Sequence, residues 1–290
     1  MAYISYRDLP IYFGTSANSN TMPTTSDAGN KSVFAAQAQL NYTPNIAPVR
    51  LLGDAPNNDN FNLAGPPNAS LSFQCYVDNS EFDPTDYTGD VGDDGTTFRI
   101  GNTAGGISGS GLFMTAFSYT LSPYQPVLVQ CDFAIYNPLA LSSAQGKLVA
   151  LTSSPLDATN FANYGHGAYS NFSGNGSSAS ATLGSDISIF DSVQYSYSAQ
   201  RLPNYTMGTV SVTNVELVTA EQSVTIQGNN IMQLVDFTGV NPGLLNIQVK
   251  NSQNQTCFET PVDGRVVAEN VSLQAGDVGR GSVTITELLK

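Results

Sequence analysis

Basic residues, histidine and tryptophan are scarce in this chain of 290 residues. It has 10 Lys and Arg against 23 Asp and Glu, a single His and no Trp, and its formal net charge is -13. The basic residues are dispersed along the chain and never form a cluster. This charge balance disfavours the capture of nucleic acids and adhesion to acidic membrane surfaces.

Long apolar runs are absent as well. No segment approaches the roughly 18 apolar residues of a membrane-spanning helix. The first twenty residues contain no apolar stretch of signal-peptide length. We therefore expect neither a membrane span nor a secretion signal.

The residues that usually carry chemistry are few and scattered. Cys75, Cys131 and Cys257 match neither a disulfide framework nor a CxxC metal site. Cys75 and Cys131 alternate in phase with apolar neighbours, which predicts buried thiols. His166 lies among glycines, and no G-x-S-x-G motif supplies a nucleophile for it. We predict no catalytic, cofactor-binding or metal-binding residue, and we expect that the chain is not an enzyme.

Two further stretches invite a ligand hypothesis. The acidic stretch 78–94 has no basic residue, and flexible carboxylate loops can bind Ca²⁺, although the D-x-[DN]-x-[DN]-G pattern is absent. We interpret it as a solvated loop that can present charge to a channel or a partner. The Gly-rich stretch Gly105 to Gly111 lacks the lysine of a phosphate-binding loop, so it is predicted to be a hairpin loop.

Period-two alternation dominates the rest of the chain. Phe117, Tyr119 and Leu121 share one face of a predicted strand, and many similar short runs are separated by Gly, Pro, Asn and Asp. This pattern is typical of an all-β, antiparallel sandwich or barrel with little helix. Only 139–151 and 154–162 are permissive for helix.

Several segments recur in the same order, 151 to 156 positions apart. AQAQLNYTPNIA (36–47) aligns with DSVQYSYSAQRL (191–202), and VLVQCDF (127–133) aligns with SVTITEL (282–288). Repetition at a nearly constant spacing indicates a duplicated domain. We predict a β domain over 1–140, a connector over 141–160 and a second β domain over 161–290. Pro48 to Gly53 and Pro203 to Gly208 are expected to occupy equivalent turns of the two domains.

The strand patterns resemble a known family. LNYTPNIAPVRLLG, AGPPNASLSFQCYV and LFMTAFSYTLSPYQPVLVQCDFAIYN, with YSYSAQRLPNYTMG and GSVTITELLK in the second half, are similar to tail tube proteins of tailed bacteriophages, which are virion structural proteins. The resemblance implies a β-sandwich or barrel unit, usually with a small flanking helix. Such units assemble edge to edge into six-domain rings, which stack into a tube for DNA passage. A tandem duplicate could complete such a ring with three chains instead of six.

Partners and location follow from the same resemblance. It implies contacts with further copies of the chain and with sheath, terminator or baseplate proteins, no membrane contact, and transient, non-specific passage of viral DNA. The location would be the virion tail, with assembly in the host cytoplasm. An acidic channel wall would repel DNA phosphates, and we expect some of the acidic-loop carboxylates to face the lumen or an inter-ring contact: Asp83, Asp86, Asp90, Asp93 and Asp94.

Two alternatives remain open at this point. One is a different virion part, such as a tail terminator, a baseplate or hub ring, or a capsid decoration protein. The other is a carbohydrate-binding β-sandwich module with a Ca²⁺ site in the acidic loop.

Overall fold

The fold is described from a computed structural model of the chain. It describes residues 11–14, 31–33, 35–48, 61–63, 65–77, 82–89, 95–102, 105–122, 125–141, 169–172, 191–207, 211–229, 245–250, 256–273, 275 and 279–290. These residues form β-strands, short connections and one 3-10 turn at Pro84–Tyr87. The all-β prediction is therefore confirmed.

The described residues form ten strands in the first half of the chain and seven in the second. The first ten are β1 (Ile11–Gly14), β2 (Lys31–Val33), β3 (Ala35–Thr43), β4 (Ile46–Pro48), β5 (Phe61–Leu63), β6 (Asn68–Tyr76), β7 (Thr96–Asn102), β8 (Gly105–Leu121), β9 (Leu128–Ile135) and β10 (Ala140–Leu141). The others are β11 (Tyr169–Phe172), β12 (Ser192–Asn204), β13 (Asn214–Gly228), β14 (Leu245–Lys250), β15 (Thr256–Val262), β16 (Arg265–Ser272) and β17 (Arg280–Leu288).

Within the described ranges the strands pair antiparallel in one large and two small sheets. Eight strands of the large sheet lie side by side in the order β3, β6, β9, β8, β12, β13, β17, β16, and we call this set the long ladder. Near its beginning, β8 also pairs with β7, which continues the sheet through β1 to β2, and with the short β10. The small sheets are β11, β14, β15 and the pair β4, β5.

Strand β8 pairs with different strands along its length because it contains two bulges. In the first bulge, Ser110 and Gly111 face the single residue Thr97 of β7. Gly111 has a φ of 67°, a left-handed backbone conformation that residues with a Cβ rarely adopt. In the second bulge, Thr115 is the extra residue opposite β9, and its hydroxyl donates to the Asp132 carbonyl at 3.1 Å. Bulges bend a strand and increase its twist, so β8 can leave β7 and continue beside β12.

Alternate positions of the long ladder fill the hydrophobic core. The burial of β6 and β9 alternates with period two, as the sequence pattern predicts. The predicted apolar face of β8 is buried at Phe117, Tyr119 and Leu121. Cys75 and Cys131 are also buried, which confirms their prediction as core thiols. Burial raises the pKa of the Cys131 thiol well above its usual value.

Aromatic side chains join the two halves in one continuous core. In the first half Phe13 packs against Phe73 and Phe133, with ring centroids 5.7 Å away in both cases. At the junction Tyr119 stacks on Tyr195 at 5.1 Å, and its hydroxyl lies 2.5 Å from the Thr260 hydroxyl. Burial raises the pKa of Tyr119 and Tyr195, so both phenols stay neutral well into the alkaline range.

A buried arginine also links the halves. Arg201 of β12 is 7% exposed and lies over the Phe113 ring, 5.4 Å from its centroid. Its Nε donates to the Met114 carbonyl and its Nη2 to the Gly89 carbonyl, both at 2.9 Å. The guanidinium therefore ties β12 to β8 and to the end of the 3-10 turn.

Two local expectations meet the structure here. The Gly-rich stretch 105–111 is not a loop, because it forms the start of β8 and pairs with β7. The first helix-permissive stretch begins as strand β10, and its remainder lies outside the described residues, as does 154–162.

Candidate functional site

The side of the long ladder that faces away from the core is a broad polar surface. Its residues occupy the alternate positions between the buried ones, and most of them are short and uncharged. We call this surface the polar face; its Ser, Thr, Asn and Gln members are Gln37, Gln39, Asn41, Thr43, Asn68, Ser70, Ser72, Gln74, Ser118, Thr120, Gln130, Ser192, Gln194, Ser196, Ser198, Gln200, Asn204, Asn214, Thr219, Ser223, Thr225, Gln227, Asn270, Ser272, Ser282, Thr284 and Thr286.

One cross-strand row shows how continuous this surface is. Directly opposed residues cross seven strands in the order Gln37, Gln74, Gln130, Ser118, Ser196, Ser223 and Thr286. The row reaches the eighth strand at Arg265. Opposed side chains lie about 5 Å apart at their Cβ atoms, so the row is a closely spaced band of polar groups.

Hydrogen bonds between neighbouring strands hold the polar face in place. Gln74 Nε2 of β6 donates to Gln130 Oε1 of β9 at 3.3 Å, and within β9 Gln130 Nε2 donates to Asp132 Oδ2 at 3.4 Å. On the same face, nearer the β16 end of the ladder, the hydroxyls of Thr225 and Thr284 lie 3.0 Å apart. Part of the hydrogen-bonding capacity is thus used laterally, which restrains the side chains.

The charges on this surface are few and unevenly placed. Asp132, Glu216 and Glu221 are the acidic residues of its described part. Arg265 and Arg280 lie at opposite ends of the β16–β17 pair, because Arg265 is opposite Thr286 and Arg280 is opposite Ser272.

From β3 to β13, the described part of the polar face carries no Lys or Arg. Beside this region, Lys290 lines a depression together with Ser198, Gln200 and Glu221. Away from that depression, a polyanion in contact with the described part of the face would meet no fixed positive charge.

Of the five acidic-loop candidates, Asp83 and Asp86 are described, and they lie on the other side of the sheet. Asp83 caps the 3-10 turn, because its Oδ1 accepts from the Thr85 amide at 2.8 Å. Asp86 forms an ion pair with Lys31. Tyr87, next in the chain, packs in the core 5.6 Å from Phe13. Asp90, Asp93 and Asp94 lie outside the described residues.

The two prolines that mark the repeat lie in strands. Pro48 is opposite Phe61 at the end of β4, and Pro203 is opposite Val215 near the end of β12. Gly53 and Gly208 fall outside the described residues, so the equivalence of the turns that follow stays a prediction. His166 also falls outside them.

Within the described ranges, no three His, Cys, Asp or Glu residues come together as a possible metal site. Nor does that part of the chain contain a helix long and apolar enough to cross a membrane.

The polar face was not singled out from the sequence, although its signal is present there. The alternation that marks the core positions places a Ser, Thr, Asn or Gln at most of the intervening ones. Which of these residues share a surface depends on strand order, and strand order is not a local property of the sequence. No protein-family model matches this chain, and no curated protein matches it at a significant level.

Proposed function

We propose that this protein is a non-enzymatic structural subunit of a bacteriophage tail tube, whose polar face lines the channel through which DNA passes. The observation that carries the proposal is the lack of Lys and Arg on the described polar face from β3 to β13. Cations that contact phosphates release counterions and hold DNA. A wall composed mainly of hydroxyl and amide groups, with three carboxylates, offers DNA a wetted surface with few such traps.

We further propose that the chain contains two tandem copies of one β unit. The pairing order β3, β6, β9, β8 in the first half has the counterpart β12, β13, β17, β16 in the second. The order β1, β7, β8 has the counterpart β11, β14, β15. In this scheme the single long strand β8 corresponds to two consecutive strands, β15 and β16.

The strand registers support the duplication residue by residue. Leu40 is opposite Leu71, and Tyr195, 155 positions after Leu40, is opposite Val224. The bulge at Thr115 has its counterpart at Val267, 152 positions later. The opposed residue pairs on both sides of the first bulge also have counterparts 152 positions later in both strands. Bulges are specific irregularities of a ladder, so their recurrence in the same place is stronger support than strand order alone.

Two units per chain lead to a ring of three chains. In the chain the two units lie side by side, because β8 of the first pairs with β12 of the second. Repeating that arrangement around an axis would give six units from three copies, and stacked rings would form the tube. In this arrangement Asp83 and Asp86 would not line the channel, and they remain candidates for inter-ring contacts. The protein would reside in the virion tail and be assembled in the host cytoplasm.

Electron microscopy and mass measurement of the purified chain test the proposal. We expect long hollow polymers at high protein concentration, and a smallest ring with the mass of three chains. A terminator, hub or decoration protein would give rings or single particles without long tubes. A six-chain ring, or the absence of hollow polymers under all assembly conditions, would contradict the proposal.

A lysine variant tests the role of the polar face directly. Tubes of Ser196→Lys, in the centre of the face, should retain short duplex DNA during sedimentation at low salt and release it at high salt. Met207→Lys is the matched control, because Met207 is fully exposed and lies off the polar face. Equal retention by both variants would show that the polar face does not line the channel.

A further inference from the structure

In the part of the chain that the structure describes, the two outermost strands of the long ladder each have one available edge, without a paired strand. Among the described strands, β3 pairs only with β6, and β16 pairs only with β17. An available edge can accept a strand from another molecule. Both edges belong to the sheet that carries the polar face.

The chain already shows how such edges fit together. Strand β8 pairs antiparallel with β12, with Ser118 opposite Ser196 and Tyr119 opposite Tyr195. In the proposed duplication, β16 is the counterpart of this part of β8, and β3 is the counterpart of β12. The edge of β16 should therefore fit the edge of β3 in the way that β8 fits β12. In one chain β16 and β3 lie at opposite ends of the ladder, so each would pair with a strand of another copy.

We propose that β16 of one chain pairs antiparallel with β3 of a second copy in the register of the internal junction. This inference rests on the proposed ring and specifies its interface. Transferring the β8–β12 pairs by the spacings of the repeat, 152 and 155 positions, places Asn270 opposite Asn41. The same transfer places Val271 opposite Leu40 and Ser272 opposite Gln39.

The chemistry of the two edges agrees with this register. Asn270, Ser272, Gln39 and Asn41 would extend the polar face across the interface. On the opposite side, Leu273, which is 77% exposed, would meet Ala38. A slip by one residue would bring polar residues to the apolar side and apolar residues to the polar side.

Exposure of the β3 side chains indicates a missing neighbour. In β12, which lies between β8 and β13, the core-side residues Val193, Tyr195 and Tyr197 are buried. Their counterparts in β3 are less covered: Ala38 is exposed and Tyr42 is 41% exposed. Opposite Tyr42 the register places Glu269, a carboxylate to which the phenol hydroxyl can donate.

Disulfide trapping in the full chain tests the register. Asn41 and Asn270 are exposed, so Asn41→Cys and Asn270→Cys should leave the fold intact. Directly opposed residues of antiparallel strands have Cα atoms about 4.5 to 5.5 Å apart, within the range for a disulfide. Mild oxidation of the double variant should give covalent dimers and trimers on a non-reducing gel, and reduction should return them to single chains.

Matched variants separate this register from other contacts. Ser118→Cys with Ser196→Cys is the internal counterpart and should cross-link within one chain only. Asn41→Cys with Val271→Cys places the thiols on opposite faces and should give no more cross-linking than the unmodified chain. The single variants should not dimerise, but an equimolar mixture of the two single variants should.

The outcomes also separate this inference from the proposed function. Hollow tubes without Asn41–Asn270 cross-links would overturn the register and leave the tube proposal standing. Cross-links from one single variant alone would overturn it as well, because they indicate pairing of like edges. Specific cross-linking in a protein that forms no tubes would support the β16–β3 interface and contradict the tube function.

Discussion

Gly111 is the residue on which the course of β8 depends most directly, so Gly111→Ala should be strongly destabilising. Its φ of 67° costs a residue with a Cβ about 1 to 2 kcal/mol. An added Cβ would also lie 2.8 Å from Asn137 Nδ2 and 3.3 Å from the Asn137 backbone nitrogen. The side chain of Asn137 would have to move to relieve this overlap.

Moving Asn137 would disrupt a second set of interactions. Its Oδ1 accepts from the buried Val212 amide at 2.7 Å, and its Nδ2 donates to Ser110 Oγ at 3.0 Å. An unsatisfied buried amide costs about 1 to 3 kcal/mol. Adding the backbone cost gives about 2 to 5 kcal/mol for Gly111→Ala, a large part of the 5 to 15 kcal/mol that typically stabilises a folded protein.

Urea denaturation followed by circular dichroism measures this effect. Gly89→Ala is the matched control, because a Cβ at Gly89 meets no atom within 4 Å and its φ is not left-handed. In an Asn137→Ala background, Gly111→Ala should cost only the backbone contribution of about 1 to 2 kcal/mol. A free energy of unfolding for Gly111→Ala within about 0.5 kcal/mol of the Gly89→Ala value would refute the argument, since surface changes usually fall in that range.

Two further predictions concern the junction of the halves. Arg201→Met should lower the free energy of unfolding by about 2 to 4 kcal/mol, because two charge-assisted hydrogen bonds are lost. Removing the cost of burying the guanidinium offsets only part of that loss. Arg265→Met is its exposed control. Stability should also fall above pH 10: burial raises the pKa of Tyr119 and Tyr195, so the folded state retains protons that the unfolded state releases. Each tyrosine contributes about 1.4 kcal/mol per pH unit in that range, and Tyr119→Phe should make the decline of melting temperature with pH less steep.

The sequence predicted the strands better than their partners. Alternation at Phe117, Tyr119 and Leu121 reports which side of a strand is buried, since that requirement acts on each strand separately. It does not report that β8 changes neighbours midway, because the cause is a left-handed Gly111 whose effect depends on the packing of Asn137. The same glycines that suggested a loop at 105–111 in fact begin a strand.

Most of the polar face was hidden from sequence reasoning for a related reason. Gln74 and Gln130 are 56 positions apart and meet only because β6 and β9 are adjacent. The acidic stretch is contiguous in sequence and was therefore predicted as a site instead. Of its described residues, Asp83 caps a turn and Asp86 pairs with Lys31. Here a surface built from many strands offers a better candidate site than a conspicuous local cluster.

The proposed duplication explains why the chain keeps one available edge of each kind. A single unit would carry a β12-type edge and a β8-type edge. Joining two units consumes one edge of each kind at the β8–β12 junction and leaves the other two on β3 and β16. A head-to-tail interface of this kind closes only if the rotation between neighbours divides a full turn. If the internal and intermolecular junctions have the same geometry, three chains form the same six-unit ring as six single units. Fusion would then halve the number of intermolecular contacts that each ring must form without changing the channel.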